Sequence, residues 1–160
     1  MILTHRISTD EDLQFIVQLP EDKISLFYMF PKATFPLTIE QLKDVIKSRF
    51  DSTVFLINDK IIGYANIYFY DDEKEPYIGN VILSKDYRGK GLGKEIVKTM
   101  IHKAMSNHDT NCVKIAVFKS NLSVYNLYKS LCFEEYKTEI RIDFEGNKQE
   151  LVFMELNFVN

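Results

Sequence analysis

Cysteine is scarce: Cys112 and Cys132 are the two thiols in 160 residues. That is too few for a disulfide framework, and neither stands in a Cys-x-x-Cys or Cys/His spacing suited to zinc. Reduced thiols and no metal site are expected. A basic excess is missing too. Twenty Lys and Arg against 23 Asp and Glu give a net charge of −3, so the whole-chain footprint for gripping nucleic-acid phosphates is absent. No apolar run approaches the roughly 18 residues that span a bilayer, and the opening Met1 to Arg6 carries no signal-peptide hydrophobic region. A cytoplasmic protein with neither a membrane nor a nucleic-acid partner is the expectation. No repeat, low-complexity stretch or Gly/Ser-rich linker interrupts residues 1–160, which are read as a single domain.

What is present is the ordinary balance of a folded chain, 46% apolar and 27% charged. A first strand is expected near residues 3–7, then a mixed segment over 10–30 and a proline-fixed loop over 30–36. Thr38 with Gln41 resembles a capping box, and Ile39, Leu42, Val45 and Ile46 recur at helical spacing, so a helix is expected over about 39–49. β-Branched and aromatic runs at 53–57 and 61–70, split by Asn58-Asp59-Lys60, read as a hairpin. A third strand follows at 77–83. Leu92, Ile96, Val97, Met100, Ile101 and Ala104 mark an amphipathic helix over 92–105. Then come a strand at 112–118, a short helix at 122–131 and a closing pair at 133–144 and 150–158. The strand-helix-strand crossover requires 112–118 to run parallel to 77–83. The class is therefore mixed α/β (α+β), with a mostly antiparallel sheet flanked by helices.

The chemistry concentrates between the third strand and the long helix, at Arg88-Gly89-Lys90-Gly91-Leu92-Gly93. Glycine accepts positive φ and has no Cβ, so such a turn can aim its amides at a phosphate that approaches the backbone. The helix start adds unpaired N–H groups and about half a positive charge, and Arg88 and Lys90 add formal charge. Two other phosphate motifs fail by register. A Walker A loop would need glycine at Arg88 and Ser or Thr after Lys94, where Glu95 stands. A Rossmann turn would need a third glycine at Lys94. A purely structural glycine turn is the bland alternative.

Arg88-x-x-Gly91-x-Gly93, entered from Val81-Ile82-Leu83, resembles the acyl-coenzyme A signature of the GCN5-related N-acetyltransferase (GNAT) superfamily. A second segment agrees. Asn121, Leu127, Tyr128 and Phe133 match that family's Asn-x-x-Ala-x-x-Leu-Tyr-x-x-x-Gly-Phe at the same spacing. Val124 stands where Ala is usual and Cys132 where Gly is usual, so the end of that helix is expected to close differently.

The resemblance implies that strands 77–83 and 112–118 splay apart and admit the pantetheine arm of acetyl-CoA. Val81, Ile82 and Leu83 would then face the arm with their backbone. Arg88, Gly89, Lys90, Gly91, Leu92, Gly93 and Lys94 would hold the pyrophosphate, and Asn121 would contact the cofactor. Tyr128 would be the general acid that protonates the departing thiolate, a phenol near 10 against a thiol above 8. The acceptor would be a primary amine of a small molecule, peptide or protein N-terminus, and the enzyme a monomer or homodimer. No carboxylate stands on 77–83, where relatives often carry a general base. Glu73 and Glu75 in the preceding turn read as solvated charges, and water-mediated deprotonation assisted by Asn80 or Tyr68 is the preferred substitute. His5, His102 and His108 form no constellation. Phe27, Tyr28, Phe30 and Phe35 lie in the segment that shapes the acceptor pocket in relatives, with core packing as the alternative. A non-catalytic acyl-CoA sensor is the competing reading, and a nucleotide-binding domain a third.

Overall fold

A computed structural model describes residues 1–158. Seven strands form one sheet in the order β1-β2-β3-β4-β5-β7-β6, where β1 is Thr4–Ile7, β2 Phe50–Ile57, β3 Lys60–Tyr68, β4 Tyr77–Leu83, β5 Cys112–Phe118, β6 Glu134–Ile142 and β7 Lys148–Asn157. The helices are α1 (Leu13–Ile16), α2 (Lys23–Met29), α3 (Ile39–Ile46), α4 (Leu92–His108) and α5 (Leu122–Ser130). Neighbouring strands are antiparallel except β4 and β5, which are parallel. The crossover through α4 that the sequence demands is present.

Alternation along the central strands decides which helices they carry. Phe55, Ala65, Ile67 and Ile78 face Ile96, Val97, Met100 and Ala104 of α4, whereas Val54, Leu56, Tyr64 and Ile82 face Leu13, Ile16, Leu26 and Leu42 of α1 to α3. Successive Cβ atoms of a strand point to opposite faces, so a run with no polar interruption serves a sheet covered on both sides. Ile96, Val97, Met100 and Leu42 have no exposed surface, and each such side chain stabilises the fold by about 1.5–3 kcal/mol. Half of the expected capping box forms: the Thr38 hydroxyl accepts the Gln41 amide at 3.2 Å, while the Gln41 side chain bonds Thr34 and Pro36 instead of the Thr38 amide. α3 is shorter than its periodicity suggests, ending at Ile46. The mixed segment resolves into α1 and α2, with Asp22 capping α2 through the Ser25 amide at 2.8 Å.

Two irregularities shape the middle of the sheet. Tyr64 pairs with Ile82 but Asn66 pairs with Gly79, so Asn80 and Val81 together oppose Ala65, a bulge that bends the strand. Asn80 takes φ 49° to make it. Immediately before the bulge, β4 meets β5 through Tyr77 with Lys114 and Ile78 with Ile115. Past that point no further pairs form between them.

α5 closes in the usual manner despite its substitutions. The Phe133 amide reaches back to the Tyr128 carbonyl at 3.1 Å and the Cys132 amide to Lys129 at 3.0 Å, with Cys132 at φ 72°. These are the paired bonds of a glycine-type helix end, so the expected difference in closure does not arise. A thiol-bearing residue occupies the left-handed position instead.

Candidate active site

Where β4 and β5 part, a cleft of about 1070 Å³ opens between them, just above the usual range for a small-molecule site. Its walls include Val81, Ile82 and Leu83 on one side and Ala116, Val117 and Phe118 on the other. At its end lies the glycine turn. Gly89 has φ 75° and Gly91 φ 81°, values an L side chain adopts at a cost of about 1–2 kcal/mol. Gly91 is the N-cap of α4, and no side chain caps the helix there. The first turn of an α-helix has no intrahelical acceptors for its amides, so the N–H groups of that turn remain open to an anion.

The turn's charges are used differently from the sequence expectation. Arg88 donates to both Glu21 oxygens at 2.7 and 3.0 Å and through Nε to the Leu83 carbonyl at 2.9 Å. Its guanidinium latches the turn to the entrance of α2 and is already spent on protein partners. Burial is the largest single influence on the Glu21 carboxyl and raises it, but the hydrogen bonds and charge of Arg88, joined by a backbone bond and the Ser25 hydroxyl, together leave the group below the usual carboxylate range. Lys90 curls back to the Asp86 carbonyl at 3.2 Å and over the Tyr87 ring, away from the cleft. The Leu92 side chain turns into a small core with Ile57 and Ile62. Neither Lys90 nor Leu92 lines the cleft, whereas Arg88, Gly89, Gly91, Gly93, Lys94 and Asn121 do.

Tyr128 lines it as well, at 3% exposure. No described residue hydrogen-bonds its hydroxyl, and burial drives its phenol well above the usual range, with Tyr68 adding in the same sense. It sits on α5 beside Leu127, which packs toward Gly93, whose missing Cβ would lie 3.5 Å from the leucine Cδ2. Asn121 is the N-cap of α5 but makes no side-chain cap bond. Its amide group is left available.

The far wall of the cleft is built by β3, β4 and the segment after α3. Asn80, expected to help move protons, is occupied at both ends: its Nδ2 donates to the Met29 carbonyl at 2.8 Å and its Oδ1 accepts from Asn66 Nδ2 at 2.8 Å. Its work is to hold the bulge. Burial pushes the Tyr68 phenol up to about 12, which leaves it protonated and unable to act as a base near neutral pH. Glu73 is not the solvated charge the sequence suggested. It accepts from Lys114 Nζ at 2.8 Å and from the Tyr77 hydroxyl at 3.0 Å, and Tyr77 also bonds the Tyr136 hydroxyl. Burial alone would raise Glu73, yet these donors hold it low. Glu75 lies 3.9 Å from Lys114. Neither carboxylate lines the cleft.

Arg49, which no sequence motif marked, enters the cleft wall from the junction of α3 and β2. Its guanidinium lies 4.1 Å from the Tyr68 ring centroid, and Nη1 is fully buried without a hydrogen-bond partner. Burial lowers its pKa, against the pull of the Tyr68 and Tyr64 phenols. Among the four aromatics at 27–35, Phe27 stacks on Phe118 with centroids 4.4 Å apart and the Tyr28 hydroxyl donates to Ser120 at 2.9 Å. Phe27, Tyr28 and Phe30 line the cleft, while Phe35 packs on the α1–α3 face of the core.

The family model "Acetyltransferase (GNAT) family" matches residues 16–133. A curated relative, the probable spermine N(1)-acetyltransferase of Bacillus subtilis subsp. natto (strain BEST195), is 27% identical over 82 residues. That match covers 49% of this chain and 52% of the relative, so it spans about half the length of each. Among solved structures, an N-acetyltransferase from Staphylococcus aureus Mu50 superposes with a TM-score of 0.81 at 18% identity, over 98% of this chain and 99% of that one. The spermidine N-acetyltransferase from Vibrio cholerae in complex with CoA and spermine gives 0.79 at 18%, over 97% and 95%. The shared fold is the one built above.

Proposed function

The chain belongs to the acetyltransferase (GNAT) family, and from that premise we propose that it transfers the acetyl group of acetyl-CoA to a primary amine by direct attack, with Tyr128 as proton donor. The observation that carries this reading is the parting of β4 and β5 beyond Ile78, ending at an uncapped glycine turn. An extended, amide-bearing arm fits a gap between two strands whose backbone groups have no partner, and a pyrophosphate fits open N–H groups at a helix start.

In this reading, the backbone of Val81 to Leu83 pairs with the pantetheine arm, and the bulge at Asn80 keeps Val81 off the β3 ladder to do so. Amides from Gly89 to Lys94 hold the pyrophosphate, Arg88 keeps the turn in place, and Asn121 meets the arm from the opposite wall. The amine attacks the thioester carbonyl while unprotonated. A lysine-like amine near 10.4 is far scarcer in that form at neutral pH than an α-amine near 8. Of the acids lining the cleft, Glu21 is held by Arg88, Asp22 caps α2, and Asp71 stands exposed in the turn after β3, so in this reading the amine's proton leaves through water at the solvent-facing side of the cleft. As the tetrahedral intermediate collapses, the carbon–sulphur bond breaks and the sulphur takes the electron pair. Tyr128 then supplies a hydrogen bond and finally the proton. Burial keeps the phenol protonated throughout the neutral range, the form a donor needs.

The free thiols at Cys112 and Cys132 suit a reducing cytoplasm, where we place the enzyme as a monomer or homodimer. Among the described residues no helix is long and apolar enough to cross a membrane, and no group of His, Cys, Asp and Glu could hold a metal ion. The test is release of coenzyme A thiol from acetyl-CoA with amines, polyamines, aminoglycosides and peptide N-termini as acceptors. Calorimetric binding of coenzyme A with no turnover on any of them would make the protein a sensor, a reading that the missing carboxylate on β4 favours.

A further inference from the structure

Gly79 is the first residue of β4 beyond its last pair with β5. A Cβ built on it would stand 2.6 Å from Arg49 Nη1 and 2.7 Å from the Tyr68 ring. The absence of a side chain there makes a seat that the guanidinium fills, over the Tyr68 ring at the place where the strands begin to part. Stacking on a phenol satisfies none of the five N–H donors of an arginine, and no ion pair or hydrogen bond to the Arg49 side chain exists among the described residues. The groups that act on its charge are the phenols of Tyr68 and Tyr64, with no carboxylate among them. A largely desolvated cation left without an anion is costly unless a ligand supplies one. Tyr68, the ring beneath this cation, acts in turn on Tyr128.

We propose that Arg49 binds an oxyanion of the acceptor itself, a carboxylate or phosphonate a few bonds from the reacting amine, so that the substrates are amino acids and their analogues rather than polyamines. The inference rests on the N-acetyltransferase reading and narrows its acceptor. Guanidinium meets such groups bidentately, with a geometry that fixes the position of the attached amine. A polycation would find the opposite at the inner wall, an unpaired positive charge, with Glu21 and Asp22 already engaged and Asp71, the remaining carboxylate of the lining, out in the exposed turn after β3.

The experiment compares kcat/KM for three acceptor sets in thiol release: common L-amino acids with 2-aminoethylphosphonate, their amide or decarboxylated counterparts, and spermidine with spermine. The expected result is turnover of at least one oxyanion-bearing amine, roughly a hundredfold above its neutral counterpart and above either polyamine. Arg49→Met, which keeps the apolar stem over Tyr68, should raise KM for that amine about tenfold to a hundredfold and erase the preference, and Arg49→Lys should restore part of it. The affinity for coenzyme A should stay within about twofold in both variants. Equal ratios in wild type and Arg49→Met, or a polyamine as best acceptor, would overturn the proposal and leave Arg49 as a packing residue. Calorimetry on the coenzyme A complex separates the two levels. Arg49-dependent binding of an amino acid without turnover would sustain the oxyanion site while removing the enzymatic reading. Turnover of amines with no dependence on Arg49 would do the reverse.

Discussion

Tyr128 was legible in the sequence because its offset of seven from Asn121 is a local spacing, fixed within one short helix. Its environment was not. Burial raises the phenol above the value assumed from free tyrosine, which in the proposed mechanism would widen its mismatch with the thiol and shift its early contribution toward hydrogen bonding. Since no described residue bonds its hydroxyl, Tyr128→Phe should leave the melting temperature unchanged. Turnover should fall about tenfold to a thousandfold with little change in cofactor affinity, as read by thiol release and calorimetry. Cys132 makes a second case. The sequence shows a departure from glycine, and the structure shows the backbone keeping glycine's conformation anyway. Cys132→Gly should therefore stabilise the protein by about 1 kcal/mol in urea denaturation, the relief of left-handed strain less the entropy glycine loses on folding. Arg49 and Gly79, thirty residues apart, could not be paired by any motif. Only the fold puts a missing Cβ under a guanidinium.

Strands and helices were readable in order and nearly in extent, because the alternation in β2 and β3 and the three-to-four spacing in α4 report how each element is buried. α1 and α2 were hidden in a segment of mixed pattern; each is under two or so turns, too short for periodicity to declare itself. The bulge in β4 was hidden for another reason. Tyr77-Ile78-Gly79-Asn80-Val81-Ile82-Leu83 looks like an unbroken strand, and the slip in pairing is set by β3 and by Met29 from α2. Asn suits the position because it tolerates positive φ and because its amide bridges Asn66 to the Met29 carbonyl. Asn80→Ala would strand that carbonyl and an Asn66 N–H in the interior and place Ala at φ 49°. A loss of about 2–4 kcal/mol in denaturant unfolding is expected, with weaker coenzyme A binding as the strand regularises.

Several distant attachments run through carboxylates held below their ordinary range. Glu73 ties the turn before β4 to Lys114 on β5, and Glu21 ties the entrance of α2 to the glycine turn. A carboxylate whose pKa is depressed by folding contributes stability above its unfolded value and loses it as pH falls through the folded one. For these two glutamates, with an ordinary value of 4.5, full stability is expected at neutral pH and a decline should begin below about pH 4.5. Urea titrations at stepped pH check this, and Glu73→Gln should flatten the decline.

The two pairs that join β4 to β5 carry a further consequence. Among the described residues they are the only ladder pairs between the left part of the sheet, β1 to β4, and the right part, β5 to β7. The sheet therefore has a seam down its middle, bridged elsewhere by side chains and by α4. A pantetheine arm lying in that seam would complete the stitching with hydrogen bonds of its own. Coenzyme A at a hundred times its dissociation constant would add about 2.7 kcal/mol of stability, and amide hydrogen exchange should slow first at residues 81–83 and 116–118. In mechanical terms the cofactor is the missing thread: the empty protein should open along this line, and the loaded one should unfold as a single sheet.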